Sequence, residues 1–365
     1  MVTNRKVVIF APTNDAHAGA LNWALQKNGA EVHWGPSLRF DASTRYSIFA
    51  DSDGIHREGG GLFEGAVRSV WNRLARGPDS EIFAPEDQVF AIKQWEAFQR
   101  NAFALMQNAS TPLWLNSPEC AEQAENKLVQ MRAAHLVGLN FPEMVVCNNA
   151  RDVRSLLDRW GKVVLKTFNR HVWTSRSTGE AHSISVALLD REVDISDQAV
   201  AVCPSIYQRY VEKKFDVRVT VLGNRIYAVK IANAKGHAYM DWRPHILDDD
   251  ACVEEFVLPK DVDTKIRKLM TELGLVVGFL DLVMDEQGDL QFLEVNQQGQ
   301  FLFIEEKLPQ MPLLRAMTSL LLTGQVDFAV EDSEDVHFAD YLNSDAFLEL
   351  RNAKQKPAQN ISYEA

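Results

Sequence analysis

The chain has 365 residues, a formal net charge of −12, and 46% hydrophobic against 24% charged residues. That length supports two or three lobes around a large core, and the acidic balance excludes the basic stripe that general nucleic-acid binding needs. Cys120, Cys147, Cys203 and Cys252 are too scattered for a CxxC pair or a zinc framework, and no apolar run is long enough to cross a bilayer.

In chain order, residues 6–11 read as a buried strand, 15–26 as a helix and 31–34 as a second strand, the pattern of a small parallel α/β lobe. Residues 54–65, with Gly59-Gly60-Gly61, lack the spacing of a phosphate-binding loop and read as a connection. Residues 69–73 read as a short strand ending in polar groups, and 84–106 as a long helix introduced by Pro85 and Glu86. Ser117-Pro118-Glu119 starts a helix expected to run through Lys127 toward Leu136. Residues 141–146 are extended, 150–159 helical and 162–166 a buried strand, followed by a polar Ser/Thr-rich stretch, 167–180, expected to be a loop near a ligand. The third part reads as antiparallel: 206–211, 216–222, a Gly223-Asn224 turn, 226–232 and a hairpin over 278–296. A helix over 312–322 closes it. Beyond Asp327 the chain is acidic and polar, with a docked helix expected near 341–350 and a disordered tail after it. The expected fold is therefore α/β with α+β lobes, divided at 1–116, 117–205, 206–326 and 327–365. With no signal-peptide pattern at the N-terminus and no disulfide framework, the expected location is cytoplasmic, with no nucleic-acid or membrane partner.

The hairpin carries the strongest chemical signal. With a four-residue loop over 286–289, Asp281 falls opposite Glu294, and period two puts Asn296 on the same face. Two carboxylates and an amide oxygen converging inside apolar strands make a site for Mg²⁺, which takes oxygen ligands and often also substrate phosphates. Asp216, Arg218 and Thr220 alternate with Val217, Val219 and Val221, so one face of that strand is charged and the other is core. Arg218 there suits a phosphate or acyl-phosphate oxygen; the alternative is a plain salt bridge to Asp216. Lys166 ends an apolar run and calls for an anionic partner, whereas Lys127 taken alone reads as a solvated helix lysine. Arg243 of Asp241-Trp242-Arg243 could clamp a carboxylate or phosphate, or pair with Asp241.

The order Lys127, Lys166, Gln208-Arg209-Tyr210-Val211-Glu212, Asp216-Val217-Arg218, Asp281 and Glu294-Val295-Asn296 resembles that of the ATP-grasp ligases. Within them, Asp241-Trp242-Arg243, Val70-Trp71-Asn72-Arg73 and the segment 292–305 are similar to motifs of the microviridin-type graspetide synthetases, which cross-link ribosomal peptides. The resemblance implies an ATP-grasp fold with an N-terminal parallel α/β lobe, a central lobe and a C-terminal antiparallel-sheet lobe. It implies ATP and Mg²⁺ as cofactors. Lys127 and Lys166 would contact ATP phosphates, Gln208, Tyr210 and Val211 the adenine, and Glu212 the ribose. Arg218, Arg243 and Asp241 would serve the reacting groups, and Asp281, Glu294 and Asn296 would hold Mg²⁺. The implied partner is a precursor peptide, leader plus core, with a homodimer through the N-lobe expected by analogy. The chain departs from that family at Gln297-Gln298, where Pro-Asn is common, at Phe301 and Phe303 in place of Trp, and at Leu74 in place of a second Arg. Two alternatives stand beside peptide macrocyclisation: a ligase joining amino acids or small peptides, and a nucleotide-binding regulator without turnover.

Overall fold

The structure is a computed structural model, and it describes residues 6–35, 47–52, 54–58, 66–73, 83–110, 112–174, 181–246, 248 and 250–354. In the first part, β1 (Lys6–Phe10) is a five-residue run buried throughout, as a parallel strand covered on both faces must be. Helix α1 (Ala16–Lys27) follows, capped by Asp15, whose Oδ1 accepts from the Ala18 N–H at 2.8 Å. Then come β2 (Glu31–Gly35), a hairpin of β3 (Ser47–Asp51) and β4 (Gly54–Glu58), β5 (Ser69–Asn72), α2 (Gln88–Ser110) and β6 (Leu113–Leu115). Strands β2-β1-β5-β6 form a parallel sheet in that order. The expected connection from Gly54 instead carries a strand as far as Glu58, paired antiparallel with β3; residues 59–65 lie outside the described ones. Its five residues, Gly54-Ile55-His56-Arg57-Glu58, show no period-two alternation, and among the described residues they pair only with the equally short β3, so neither arm reads as a strand alone.

The helix expected from Ser117 to Leu136 is two helices, α3 (Pro118–Glu125) and α4 (Lys127–Leu136). Asn126 breaks them: its ψ of 112° leaves the helical region, and its Oδ1 caps α4 by accepting from Leu128 and Val129 N–H. Next are β7 (Met144–Cys147), α5 (Ala150–Trp160), β8 (Lys162–Thr174), β9 (Ala181–Asp190), α6 (Asp197–Ala201) and β10 (Ser205–Arg209). Among the described residues they form an antiparallel sheet, β7-β10-β8-β9. The polar stretch expected as a loop is mostly strand. Strand β8 runs on to Thr174 with a register shift between Lys166 and His171, and β9 returns from Ala181. Its Thr, Phe, Val and Trp content favours a strand over a loop; residues 175–180 lie outside the described ones.

The third part contains β11 (Lys213–Leu222), β12 (Arg225–Asn233), β13 (Ala251–Glu255), α7 (Lys260–Glu272), β14 (Val277–Asp285) and β15 (Leu290–Asn296), then α8 (Leu302–Lys307), α9 (Leu313–Thr323), α10 (Phe338–Leu342) and α11 (Asp345–Lys354). Its sheet order is β13-β12-β11-β14-β15. Alternation splits the two faces. Val217, Val219, Val221, Leu280 and Leu282 pack against Ile266 and Leu269 of α7. Phe279 faces the other way, into a core shared with Phe301, α9 and α1 of the first part. The four cysteines are unpaired, and no described helix is long and apolar enough to cross a membrane.

The helix expected near 341–350 is the pair α10 and α11, which pack on α1, with the Trp23 and Tyr341 rings 5.8 Å apart. The Tyr341 hydroxyl is buried with no hydrogen-bond partner among the described residues, and burial pushes its pKa up to about 12. Tyr341→Phe is therefore expected to stabilise the fold by about 1 kcal/mol, read from denaturant unfolding; a destabilised variant would show that the hydroxyl is bonded.

Candidate active site

The central sheet (β7-β10-β8-β9) and the third sheet face each other across an open cleft of about 700 Å³. Lys166 of β8 and Gln208 of β10 line one wall; Asp216 of β11 and Asp281 of β14 line the other. Residues 240–243 also line the cleft, and past Arg243 and Lys166 it continues to Lys127 and Glu294.

Register brings the carboxylates together. Asp281 pairs with Glu294 across β14–β15 and with Arg218 across β11–β14. Arg218 Nη1 donates to Asp281 Oδ1 at 2.8 Å, and both side chains are buried. Arg243 Nη2 donates to Asp281 Oδ2 at 3.1 Å and to Glu294 Oε1 at 2.7 Å, joining the two acids. Lys127 Nζ lies 2.7 Å from Glu294 Oε2. Lys127 is thus no solvated helix lysine. Gln130, one turn on, is fully buried and bonds both backbone groups of Val295, donating to its carbonyl at 2.8 Å and accepting from its N–H at 3.0 Å. That clip fixes α4 against β15.

Electrostatics follow from this packing. Burial works against ionising Glu294, but Lys127 and Arg243 outweigh it and hold its pKa down at about 2. Burial likewise opposes the charge on Arg243, and Asp281, Glu294 and Asp241 overcome it, raising its pKa. Lys166 is lowered by burial; Glu294 opposes that shift, and the neighbouring Lys127 and Arg243 charges add to it. Four cations, Lys127, Lys166, Arg218 and Arg243, therefore gather around the two carboxylates Asp281 and Glu294. Asp241 at the edge lies 3.8 Å from Arg243 Nε. Positive charge is left over, so the cluster is built for a further anion.

No protein-family model and no curated relative matches the sequence. Solved structures do. A RiPP-associated ATP-grasp ligase from Chryseobacterium gregarium, in complex with ADP and a leader and core peptide, superposes with a TM-score of 0.75 at 18% identity, covering 91% of this chain and 99% of that one. The macrocyclase MdnC from Microcystis aeruginosa, bound with precursor peptide MdnA, gives 0.71 at 18% identity over 87% and 98%. The ATP-grasp ligase PsnB, complexed with a phosphomimetic variant of a minimal precursor, Mg and ADP, gives 0.68 at 18% identity over 89% and 99%. The chain has the ATP-grasp fold.

The site residues expected from sequence take distinct places in this ATP-grasp framework. Lys127, Lys166, Arg218, Asp241, Arg243, Asp281 and Glu294 gather around the cleft. Gln208, Tyr210 and Val211 line the same cleft. Glu212 is exposed and paired with Lys162 at 2.6 Å, away from the acidic pair. Asn296 is exposed at the end of β15, its Oδ1 accepting from the Gln298 N–H at 2.9 Å, and it lines a groove with Gln297 and Asn72. The alternative salt bridge between Asp216 and Arg218 does not form. Arg218 is taken by Asp281, and Asp216 Oδ1 by Lys213 Nζ at 2.6 Å.

Among the described residues no three His, Cys, Asp or Glu side chains form a metal cage. Mg²⁺ in nucleotide sites commonly takes one or two carboxylates, with phosphates and water completing its shell. The facing Asp281 and Glu294, with surplus cations beside them, fit that chemistry. Two further residues belong to the site. Asp216 Oδ2 is buried without a partner among the described residues, and burial, opposed by Lys213 and aided by Asp281 and Asp241, pushes its carboxyl up to about 6. Trp242 is buried against Phe303 and Arg218, which seats the segment that carries Arg243.

Proposed function

We propose that this protein is an ATP-dependent, ADP-forming carboxylate ligase. It activates Asp or Glu side chains of a ribosomal precursor peptide and joins them to a Thr/Ser hydroxyl or a Lys amine of the same peptide. The product is a macrolactone or macrolactam. The observation that carries this reading is the paired Asp281 and Glu294 with a surplus of cations in the cleft between two sheets, in a fold shared with peptide-bound ATP-grasp enzymes.

In this reading Asp281, Glu294 and Asn296 would hold Mg²⁺, which would supply neutralisation of charge on the phosphate oxygens. Lys127 and Lys166 bind phosphates, Gln208, Tyr210 and Val211 surround the adenine, and Glu212 meets the ribose. Arg218 and Arg243 orient the transferring phosphoryl group and the activated acyl group, with Asp241 accepting from the Arg243 backbone N–H at 3.0 Å to set its turn. The peptide carboxylate oxygen bonds to the γ-phosphorus and ADP leaves. The hydroxyl or amine then attacks the acyl carbon, phosphate leaves, and one proton must be taken up. The enzyme contributes chiefly position and exclusion of water.

Asp216 is the group suited to accept that proton, being buried in the cleft with a free oxygen. Its carboxyl is protonated below about 6 and can act as a base only above it. Ligation is therefore expected to rise with pH through about 6, and Asp216→Asn should flatten that limb. The same raised pKa makes its ionisation oppose folding, so its contribution to stability is fully present below the unfolded value of 3.8 and is lost as pH rises through about 6. A pH–rate profile unchanged in Asp216→Asn would remove it as the base.

The reading is tested by hydroxylamine trapping. With Mg-ATP and a peptide rich in Thr, Ser, Asp and Glu clusters, an acyl phosphate gives a peptide hydroxamate together with ADP. AMP as the product, or hydroxamate formed only from free amino acids, would reject it.

A further inference from the structure

The Val70-Trp71-Asn72-Arg73 motif ends β5 at the boundary between the first sheet and the loop that leaves β15. Arg73 is buried there, 2% exposed. Its Nε donates to Asp15 Oδ1 at 3.0 Å, and its Nη1 donates to the carbonyls of Gln298 at 3.1 Å and Gly299 at 2.9 Å. His17, in the first turn of α1, accepts through Nε2 from the N–H groups of Phe301 at 3.1 Å and Leu302 at 3.3 Å. Accepting both requires the neutral tautomer, and burial with Arg73 nearby keeps the ring neutral. From the opposite side, Arg218 Nη2 donates to the Gln300 carbonyl at 3.1 Å. The loop 298–302 is thus gripped by the first lobe on one side and by the acidic pair's own arginine on the other. It has no slack: a Cβ on Gly299 would lie 2.5 Å from Arg218 Nη2 and 2.6 Å from Phe279 Cβ.

We infer that Arg73, with Asp15 and His17, is a positioning residue of the N-terminal lobe that sets the 298–302 loop and, through Gln300 and Arg218, the Asp281 carboxylate. The Arg218 guanidinium is a rigid plane that meets Asp281 through Nη1 and the loop through Nη2, so a displaced Gln300 carbonyl rotates the group that holds Asp281. Arginine is required at position 73 because its fork spans a carboxylate and two carbonyls, which the single ammonium of lysine cannot do.

This rests on the ligase reading only for the identity of the ligand, so the test uses binding. Mg²⁺-dependent ADP binding is measured by calorimetry for the full chain, Arg73→Lys and Gly299→Ala, alongside the melting midpoint and binding of ADP without Mg²⁺. Arg73→Lys should raise the half-saturating Mg²⁺ concentration roughly tenfold, as loss of an outer partner of a metal ligand does. Metal-free ADP binding should stay unchanged. Gly299→Ala should give the same shift from the other side with Arg73 intact. An unchanged Mg²⁺ dependence in folded variants, or loss of folding in both, would assign the grip to stability alone and overturn the inference. If the full chain shows no Mg²⁺-dependent nucleotide binding, it is the ligase reading that falls.

Discussion

Glu294→Gln is expected to cut ATP-dependent condensation by about a thousandfold or more while leaving a folded protein. The substitution preserves shape, removes the charge that Lys127 and Arg243 meet at 2.7 Å, and replaces one of the two acceptor oxygens with a donor NH2. It therefore leaves one acid among four cations, too little negative charge to hold a divalent ion beside a phosphate chain. The Glu294 side chain is 24% exposed, so water reaches the freed cations and the cost to folding is small. Steady-state ADP release and peptide mass read the loss, and the melting midpoint reads the fold. Wild-type turnover in the variant would show that Glu294 is not part of a metal site.

The second large effect separates two arginines that bond the same carboxylate. The Arg218 and Asp281 side chains are only 5% and 7% exposed, whereas Arg243 is 52% exposed. Arg218→Met is expected to cost about 3 kcal/mol of unfolding free energy, because it leaves one oxygen of a buried carboxylate bare. Arg243→Met should cost under about 1 kcal/mol, since its place is taken by water. Both should lower turnover by about a hundredfold or more. A double change, Arg218→Met with Asp281→Leu, should recover most of the lost stability and none of the activity, as expected when a buried pair is replaced by apolar groups. Denaturant unfolding and ADP release measure the two quantities separately. Equal stability losses in the two single arginine variants would contradict this division.

Much of the site was legible because strand alternation is local. The polar face Asp216, Arg218, Thr220 and the apolar face Val217, Val219, Val221 follow from period two alone, and the structure keeps them apart as expected. The pairing of Asp281 with Glu294 was also expected, but the chain reaches it by another route. Met284 pairs with Leu290 and Leu282 with Phe292, one residue off the expected register, and the extra residue Leu293 restores it before Glu294. The turn is lengthened because Asp285 accepts from the Gln287 and Asp289 N–H groups, a contact that composition does not reveal. Asn126 carried a readable capping signal, which the strong helical pattern on either side of it masked. The partners of Arg218, Asp216 and Lys127 depend on register between distant segments, and no local pattern gives that. The same holds for Arg73 and His17, whose contacts lie some 225 and 284 residues along the chain. Buried polar residues inside apolar runs, such as Gln130 in α4, were the one signal that could have pointed to these long-range clips.

Ring closure within a peptide, driven by ATP, is read by intact mass spectrometry of a short, Thr/Ser- and Asp/Glu-rich peptide encoded beside this protein, incubated with the enzyme and Mg-ATP, with ADP quantified in parallel. The expected result is the loss of one water mass per ring, one ADP for each loss, and no loss with Glu294→Gln. A peptide of unchanged mass while ADP accumulates, or a mass gain from added amino acids, would contradict it.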